Sequence, residues 1–158
     1  MAAKNDSVTA SRELVIHRTF DAPRELVFKA WTEPELLIKW WGPKGFTNTF
    51  HEIDVRPGGV WRYTMHSAEG QHFENRITYS AVEPPYRLAY LHDSGIDNDP
   101  DRFEVDINFE EQHGKTHLTM RSTFLSAEIL EKIVKEYGAV EGAHQTLDKL
   151  EAALATMQ

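Results

Sequence analysis

The sequence predicts an α+β domain in which a long C-terminal helix covers one antiparallel sheet. From residue 46 to residue 125 apolar residues recur with a period of two, and after Ser126 they recur at helical spacing. Each pattern leaves one apolar face, and the two faces have to cover each other. The predicted order of elements is one strand, two helices, six strands and a helix, β-α-α-β6-α.

The first part of the chain is predicted to form one strand and two helices. Residues 14–20 form the strand, and Pro23 suits the first turn of a helix that carries the apolar residues up to Trp31. Thr32 and Glu35 form a T-x-x-E capping box, which predicts the beginning of a second, short helix.

Six strands separated by glycine, proline or polar turns are expected next. Their predicted bounds are 47–55, 60–66, 71–82, 86–92, 103–110 and 116–124. Ser126 is expected to cap the C-terminal helix, and Gly138 to interrupt it.

The chain has 158 residues, a length that suggests one domain. We expect a flexible tail at residues 1–11 and a single domain at residues 12–158. Residues 1–10 lack the pattern of a signal peptide, and no apolar run is long enough to span a membrane. The expected location is therefore the cytoplasm.

The charge disfavours nucleic acid and membrane surfaces as partners. The formal net charge is −8, and lysine and arginine are scattered singly along the chain. Residues 97–111 carry seven acidic side chains against one arginine. Such a field repels phosphate backbones and anionic lipids. Because the chain has no cysteine, disulfides and thiolate metal sites are excluded.

Two sequence blocks together resemble one known family. They are W-W-G-P at residues 40–43 and D-x-R-x-G-G-x-W at residues 54–61, with further matches at residues 21–28 and 141–150. Over about residues 12–155 the chain resembles the helix-grip superfamily called SRPBCC or START-like. Within it, the chain is similar to the single-domain relatives of the heat shock protein 90 ATPase activator.

The resemblance implies a helix-grip fold, in which a curved antiparallel sheet wraps around the C-terminal helix and leaves an internal cavity. It implies ligand binding as the usual role, and it transfers no catalytic residue. Many relatives carry tryptophan at the position of Ala143, where a smaller side chain leaves more cavity or is accommodated by repacking.

The predicted inner faces of the strands and of the last helix supply the candidate ligand-binding residues. Several of them are polar, and polar groups that converge on one interior suggest a pocket with hydrogen-bonding points rather than a dry core. The candidates are His51, Trp61, Tyr63, Met65, Phe73, Asn75, Tyr90, His92, Phe103, Met120, Tyr137, Val140 and His144.

These residues favour the binding of a small, mostly apolar or amphipathic molecule. One alternative is an enzyme of the polyketide cyclase, dehydratase or hydrolase type, which would use His51, His92, His144 and Tyr63. Another is a chaperone-cofactor-like interaction module, which is disfavoured because the eukaryotic activator carries a further domain for which this chain has no room. We assign no catalytic residue, and whether the protein is an enzyme stays open, with binding favoured.

No metal site or cofactor is expected. His66, His72 and Glu74 lie across one predicted hairpin, and such cross-strand histidines can bind zinc, but alternation places His72 and Glu74 on the outer, solvated face. The chain lacks the nucleophile-elbow, Walker A and dinucleotide-binding motifs. The sequence leaves open whether the acidic segment 97–111 gates the cavity and whether the protein forms a homodimer.

Overall fold

In the computed structural model, which describes residues 6–9 and 12–158, eight strands form one antiparallel sheet. The strands are β1 (Asp6–Thr9), β2 (Glu13–Phe20), β3 (Thr47–Ile53), β4 (Val60–His66), β5 (His72–Glu83), β6 (Arg87–Asp93), β7 (Phe103–Gln112) and β8 (Lys115–Phe124). Their spatial order is β1-β2-β8-β7-β6-β5-β4-β3. β2 therefore pairs with the last strand, and the later strands follow as a meander.

Four helices accompany this sheet in the described part of the chain. They are α1 (Arg24–Thr32), α2 (Pro34–Leu37), α3 (Ala127–Tyr137) and α4 (Ala139–Thr156). The α+β class, the helix-grip fold and the predicted succession of elements from β2 onward are confirmed. The predicted break is also present, because Gly138 separates α3 from α4 with a φ of +59°, a conformation that favours glycine.

The N-terminal segment differs from the predicted flexible tail. Residues 6–9 pair with β2, with Asp6 opposite Ile16 and Thr9 opposite Glu13. The other residues of the predicted tail, 1–5 and 10–11, lie outside the described residues. An edge strand of this kind is held by backbone hydrogen bonds, so its sequence carries little alternation that would reveal it.

The predicted capping box is wrong. Thr32 is the last residue of α1, and its hydroxyl donates to the carbonyl of Phe28 at 2.9 Å instead of capping a helix. Glu33 precedes α2 without a side-chain cap, and Pro34 occupies the first position of that helix, which its fixed φ suits. At α3 the prediction is confirmed, because the amide of Ile129 donates to the hydroxyl of Ser126 at 3.2 Å.

A bulge in β3 overturns the predicted phase of that strand. Its register with β4 shifts between Phe50 and Glu52, so Phe50 lies opposite Tyr63 and Ile53 lies opposite Trp61. The extra residue of the bulge is His51, which is exposed together with Thr49. His51 was predicted to face inward, and it lies on the outer face instead.

Aromatic side chains join the segment around α1 and α2 to the sheet. Trp40 is fully buried, and its indole N–H donates to the carbonyl of Ala30 at 3.0 Å. The Trp31 ring packs against Trp40 with centroids 4.9 Å apart, and the Trp41 ring packs against Trp61 of β4 at the same distance. Aromatic pairs whose rings are inclined to each other in this way add to the stabilisation from burial.

The turn between β3 and β4 is bound to β5. The amide of Gly58 donates to the carbonyl of Tyr79 at 2.8 Å, and the amide of Tyr79 donates to the carbonyl of Gly59 at 3.0 Å. A Cβ atom at Gly59 would overlap the carbonyl oxygen of Asp54. Residue 59 therefore has to be glycine because the backbone approaches itself too closely for any side chain.

We expect the substitution Gly59→Ala to lower the free energy of unfolding by about 2–3 kcal/mol, since the backbone has to shift to admit the methyl group. Gly142→Ala is the matched control. Its Cβ would meet only Pro43, at 3.9 Å, and alanine in the middle of α4 should raise stability by up to about 1 kcal/mol. Urea unfolding of both variants measures the difference. A Gly59→Ala variant as stable as the wild type would contradict the close approach.

Candidate functional site

A cavity of about 210 Å³ lies between the inner face of the sheet and the C-terminal helices. The strands contribute Leu14, Ile16, Tyr63, Met65, Tyr90, His92, Phe103, Val105, Met120, Ser122 and Phe124. The helices and the segment after α2 contribute Trp31, Trp41, Gly42, Pro43, Ile133, Ala139, Ala143, Thr146 and Leu147. Most of these side chains are apolar.

Six of the thirteen candidate residues line this cavity: Tyr63, Met65, Tyr90, His92, Phe103 and Met120. All six lie on β4, β6, β7 or β8, where alternation is unbroken and the inner face follows from the sequence. The structure brings them together, and their contact with a ligand stays a prediction.

Four candidates from the first strands of the meander do not line the cavity. His51 follows the bulge to the outer face, where its Nε2 lies 2.7 Å from the hydroxyl of Thr64. Trp61 is buried behind Tyr63, with ring centroids 4.5 Å apart. Phe73 is 44% exposed at the beginning of β5. Asn75 faces inward but contacts His92 rather than the cavity itself.

Three candidates from the C-terminal helices do not line the cavity either. Tyr137 is 70% exposed at the end of α3, where the break at Gly138 ends the helical phase. Val140 is partly buried against the core outside the cavity lining. His144 turns toward β2, where its Nδ1 lies 3.2 Å from Nη2 of Arg18.

Sequence reasoning missed several residues that form the wall. Trp31 was not among the candidates, although it borders the cavity. Ala143 and Leu147 belong to the predicted apolar stripe of the last helix, but only His144 and Val140 were taken from that stripe as ligand-binding residues. The available signal was the spacing of small and large apolar residues in α4, because Ala143 and Leu147 are four apart and share a face.

A chain of polar side chains forms one part of the wall. His92 Nε2 lies 2.9 Å from Asn75 Oδ1 and 3.4 Å from the hydroxyl of Tyr63. The amide nitrogen of Asn75 donates to the carbonyl of Phe73 at 3.1 Å, so Oδ1 is the acceptor and His92 Nε2 carries the proton. The lone pair of the His92 ring is therefore on Nδ1.

Burial keeps the polar groups of the wall uncharged at neutral pH. It lowers the pKa of His92 to about 4, although the carboxylates of Asp93 and Asp99 oppose the shift. Burial also raises the pKa of Tyr63 above its ordinary value, and the neighbouring Trp41 indole only partly offsets this. The pKa of Tyr90 is raised well above its ordinary value by burial and by the nearby Tyr63 and Tyr79.

The indole nitrogens do not add polar points to this wall. The N–H groups of Trp31, Trp41 and Trp61 are buried and lack a hydrogen-bond partner within the described residues. Neighbouring atoms cover each of these nitrogens completely, so they do not open onto the cavity. The aromatic side of the wall therefore remains apolar.

The outer face of the sheet carries a pair of histidines. His66 Nδ1 lies 2.7 Å from His72 Nδ1, and His66 Nε2 lies 2.8 Å from the hydroxyl of Thr49. Within residues 6–9 and 12–158, no three histidine, aspartate or glutamate side chains are arranged to hold a metal ion. Among the described helices, none combines the length and apolarity that a membrane crossing requires.

Comparisons with known proteins agree with this architecture. The sequence model of the family described as "Activator of Hsp90 ATPase homolog 1-like protein" matches residues 21–155. A crystal structure of a protein from Nitrosomonas europaea is similar at 27% identity, with a TM-score of 0.83 over 94% of this chain and 97% of that one.

Two further solved structures are similar to the same extent. A protein from Mycobacterium smegmatis is 27% identical, with a TM-score of 0.83 over 94% of each chain. A solution structure from Staphylococcus epidermidis is 27% identical, with a TM-score of 0.80 over 100% of this chain and 94% of that one. The comparison with curated proteins gave no match.

The lowered pKa of His92 predicts a specific pH dependence of stability. Between the unfolded pKa of 6.5 and the folded pKa of about 4, the unfolded chain binds the proton that the folded chain excludes. The neutral imidazole of His92 therefore contributes its full stabilisation of the folded protein above pH 6.5, and this stabilisation is lost as the pH falls from 6.5 toward 4. We expect the wild type to lose about 2 kcal/mol more between pH 7 and pH 4.5 than the variant His92→Gln.

Urea unfolding of both proteins at the two pH values measures this difference, and contributions from other titrating groups cancel in the comparison. Glutamine keeps an N–H group that can donate to Asn75, so the variant is a conservative one. Equal losses in the two proteins would show that His92 is not held in its neutral form by burial.

Proposed function

Because the chain belongs to the family of Activator of Hsp90 ATPase homolog 1-like proteins, we propose that it works through its internal cavity, by binding a small, mostly apolar molecule between the sheet and α4. The observation that carries this proposal is the cavity of about 210 Å³ with its mainly apolar wall. Burial of apolar ligand surface there would contribute about 25 cal/mol for each Å².

The size of the cavity restricts the ligand. An engineered apolar cavity of about 150 Å³ is known to bind benzene. A cavity of about 210 Å³ accordingly suits a molecule of one or two rings, or a short branched chain. Long fatty-acid chains are too large for this volume.

The exposure of the wall supports an opening between two helical segments. Pro43, after α2, and Ala139 and Ala143, at the beginning of α4, are half-buried, as are the wall residues near the ends of β4, β6 and β7. A ligand would reach the cavity between the segment after α2 and the beginning of α4. The acidic segment 97–111 contributes only Phe103 and Val105 to the wall, and both belong to β7.

The arrangement favours binding over acid–base catalysis. Of the side chains considered for an enzyme, His51 and His144 lie outside the cavity. The two that line it, His92 and Tyr63, have pKa values shifted away from neutrality in opposite directions. General acid–base catalysis works best with a pKa near the working pH, so these groups are poorly matched to it.

Filling the cavity tests the proposal. We expect wild-type protein to bind naphthalene in isothermal titration calorimetry, and Ala143→Leu to weaken this binding at least about tenfold, because the larger side chain occupies the space that the ligand needs. Ala152→Leu is the matched control, since Ala152 is exposed on the same helix and its replacement should leave the affinity unchanged.

Thermal unfolding of both variants shows whether each is folded before its binding is compared. Binding of naphthalene by Ala143→Leu with wild-type affinity would place the ligand elsewhere and contradict the proposal. Failure of the wild type to bind naphthalene, measured up to the solubility of the ligand, would count against an apolar binding cavity.

A further inference from the structure

The polar atoms that open onto the cavity are few, and two of them are hydroxyl groups without partners. Tyr90 is 5% exposed and Ser122 is 7% exposed, and both line the cavity. Neither hydroxyl makes a hydrogen bond to the described residues. Neighbouring atoms cover the indole nitrogens completely, but they do not cover these two oxygen atoms. The hydroxyl groups are therefore accessible from the cavity.

These two hydroxyl groups come from one row of the sheet. Tyr90 of β6 pairs with Val105 of β7, and Val105 pairs with Ser122 of β8. All three side chains therefore project from the same face, with the two hydroxyl-bearing residues on either side of Val105. A buried hydroxyl without a partner costs free energy, which a bound polar group could recover.

His92 adds an acceptor to this wall. Its Nε2 proton is engaged by Asn75, which leaves the Nδ1 lone pair without a partner in the described chain. The two hydroxyl groups can each donate or accept, whereas Nδ1 can only accept. A ligand hydroxyl group satisfies either kind of partner, since it can donate to Nδ1 and exchange hydrogen bonds with Tyr90 or Ser122.

The cavity wall carries no charged side chain that could form an ion pair with a charged ligand. None of the described residues that line the cavity is aspartate, glutamate, lysine or arginine. His92 is neutral at pH 7 because burial holds its pKa at about 4. A carboxylate or an ammonium group would lose its hydration there and gain no counter-ion, which is strongly unfavourable.

From this geometry we infer that the ligand is an uncharged molecule of one or two rings that carries a hydroxyl group, held by the unpartnered hydroxyls of Tyr90 and Ser122. The inference rests on the proposed function, because it specifies the ligand class of the same cavity. The apolar wall supplies most of the affinity, and the hydroxyl groups select among molecules of equal shape.

Three ligands of the same ring system test this inference by calorimetry at pH 7: naphthalene, 2-naphthol and 2-naphthoate. The measured quantity is the affinity for 2-naphthol relative to naphthalene. We expect Tyr90→Phe and Ser122→Ala each to lower this ratio about 3- to 10-fold, which is the range for loss of one hydrogen bond. We expect 2-naphthoate to bind the wild type at least about 30-fold more weakly than 2-naphthol.

The chain offers matched controls for both variants. Tyr137→Phe and Ser80→Ala remove the same hydroxyl groups from exposed positions and should leave the ratio unchanged. Tyr90→Phe and Ser122→Ala should not lower the thermal midpoint of the free protein, because the hydroxyl groups that they remove have no partner in it. This separates a role in ligand selection from a structural role.

The possible failures are distinguishable. If naphthalene binds and the ratio is the same in the wild type and in both cavity variants, the inference is overturned while the proposed function stands. Binding of 2-naphthoate as tight as that of 2-naphthol would also overturn it, because it would require a charge in the wall. If neither uncharged ligand binds the wild type, the proposed function fails and the inference fails with it.

Discussion

The structure depends on the burial of the apolar face of α4 against the concave face of the sheet. Leu147, Leu150 and Leu154 of α4 are almost completely buried in this contact. The contact is nevertheless incomplete, since about 210 Å³ beside Ala143 and Leu147 is not filled by side chains. Alanine at position 143 contributes to this space, since a larger side chain there would extend into it.

Polar contacts at the edges hold α4 above the space that it does not fill. Arg18 of β2 binds Asp148 at 2.9 Å and the carbonyl of His144 at 3.2 Å. On the other side, the ammonium group of Lys149 donates to the carbonyl of Gly42 at 3.1 Å. These contacts join the helix to β2 and to the segment after α2, which contacts Asn48 of β3 near the other edge of the sheet. The helix is thus fixed at both sides and cannot easily sink into the sheet to close the void.

The sequence predicts most of this fold and only part of the site, and the difference has physical causes. Strand β4 was predicted with its observed bounds because its period-two pattern ends at clear turns. His51 was misplaced because a bulge is a backbone feature that reverses the phase of a strand without a marker in composition. Tyr137 was misplaced because the break at Gly138, although foreseen, changes the direction of the helix and so the face that each residue presents. The contact of His92 with Asn75 depended on the register between β5 and β6, which brings together residues 17 positions apart and which no local pattern reveals.

The same burial that shapes the cavity also decides its chemistry. Desolvation removes the proton from His92 and keeps the phenol groups of Tyr63 and Tyr90 protonated. Histidine and tyrosine often act as acids or bases in catalysis, but in this cavity they are neutral hydrogen-bonding groups. An apolar wall by itself does not strongly distinguish a ligand with a hydroxyl group from a ligand of the same shape without one. Buried polar groups add this discrimination, because a ligand that lacks the matching group leaves them unpaired. Two unpartnered hydroxyl groups in an uncharged wall therefore suit a protein that has to recognise one neutral molecule among others of similar shape.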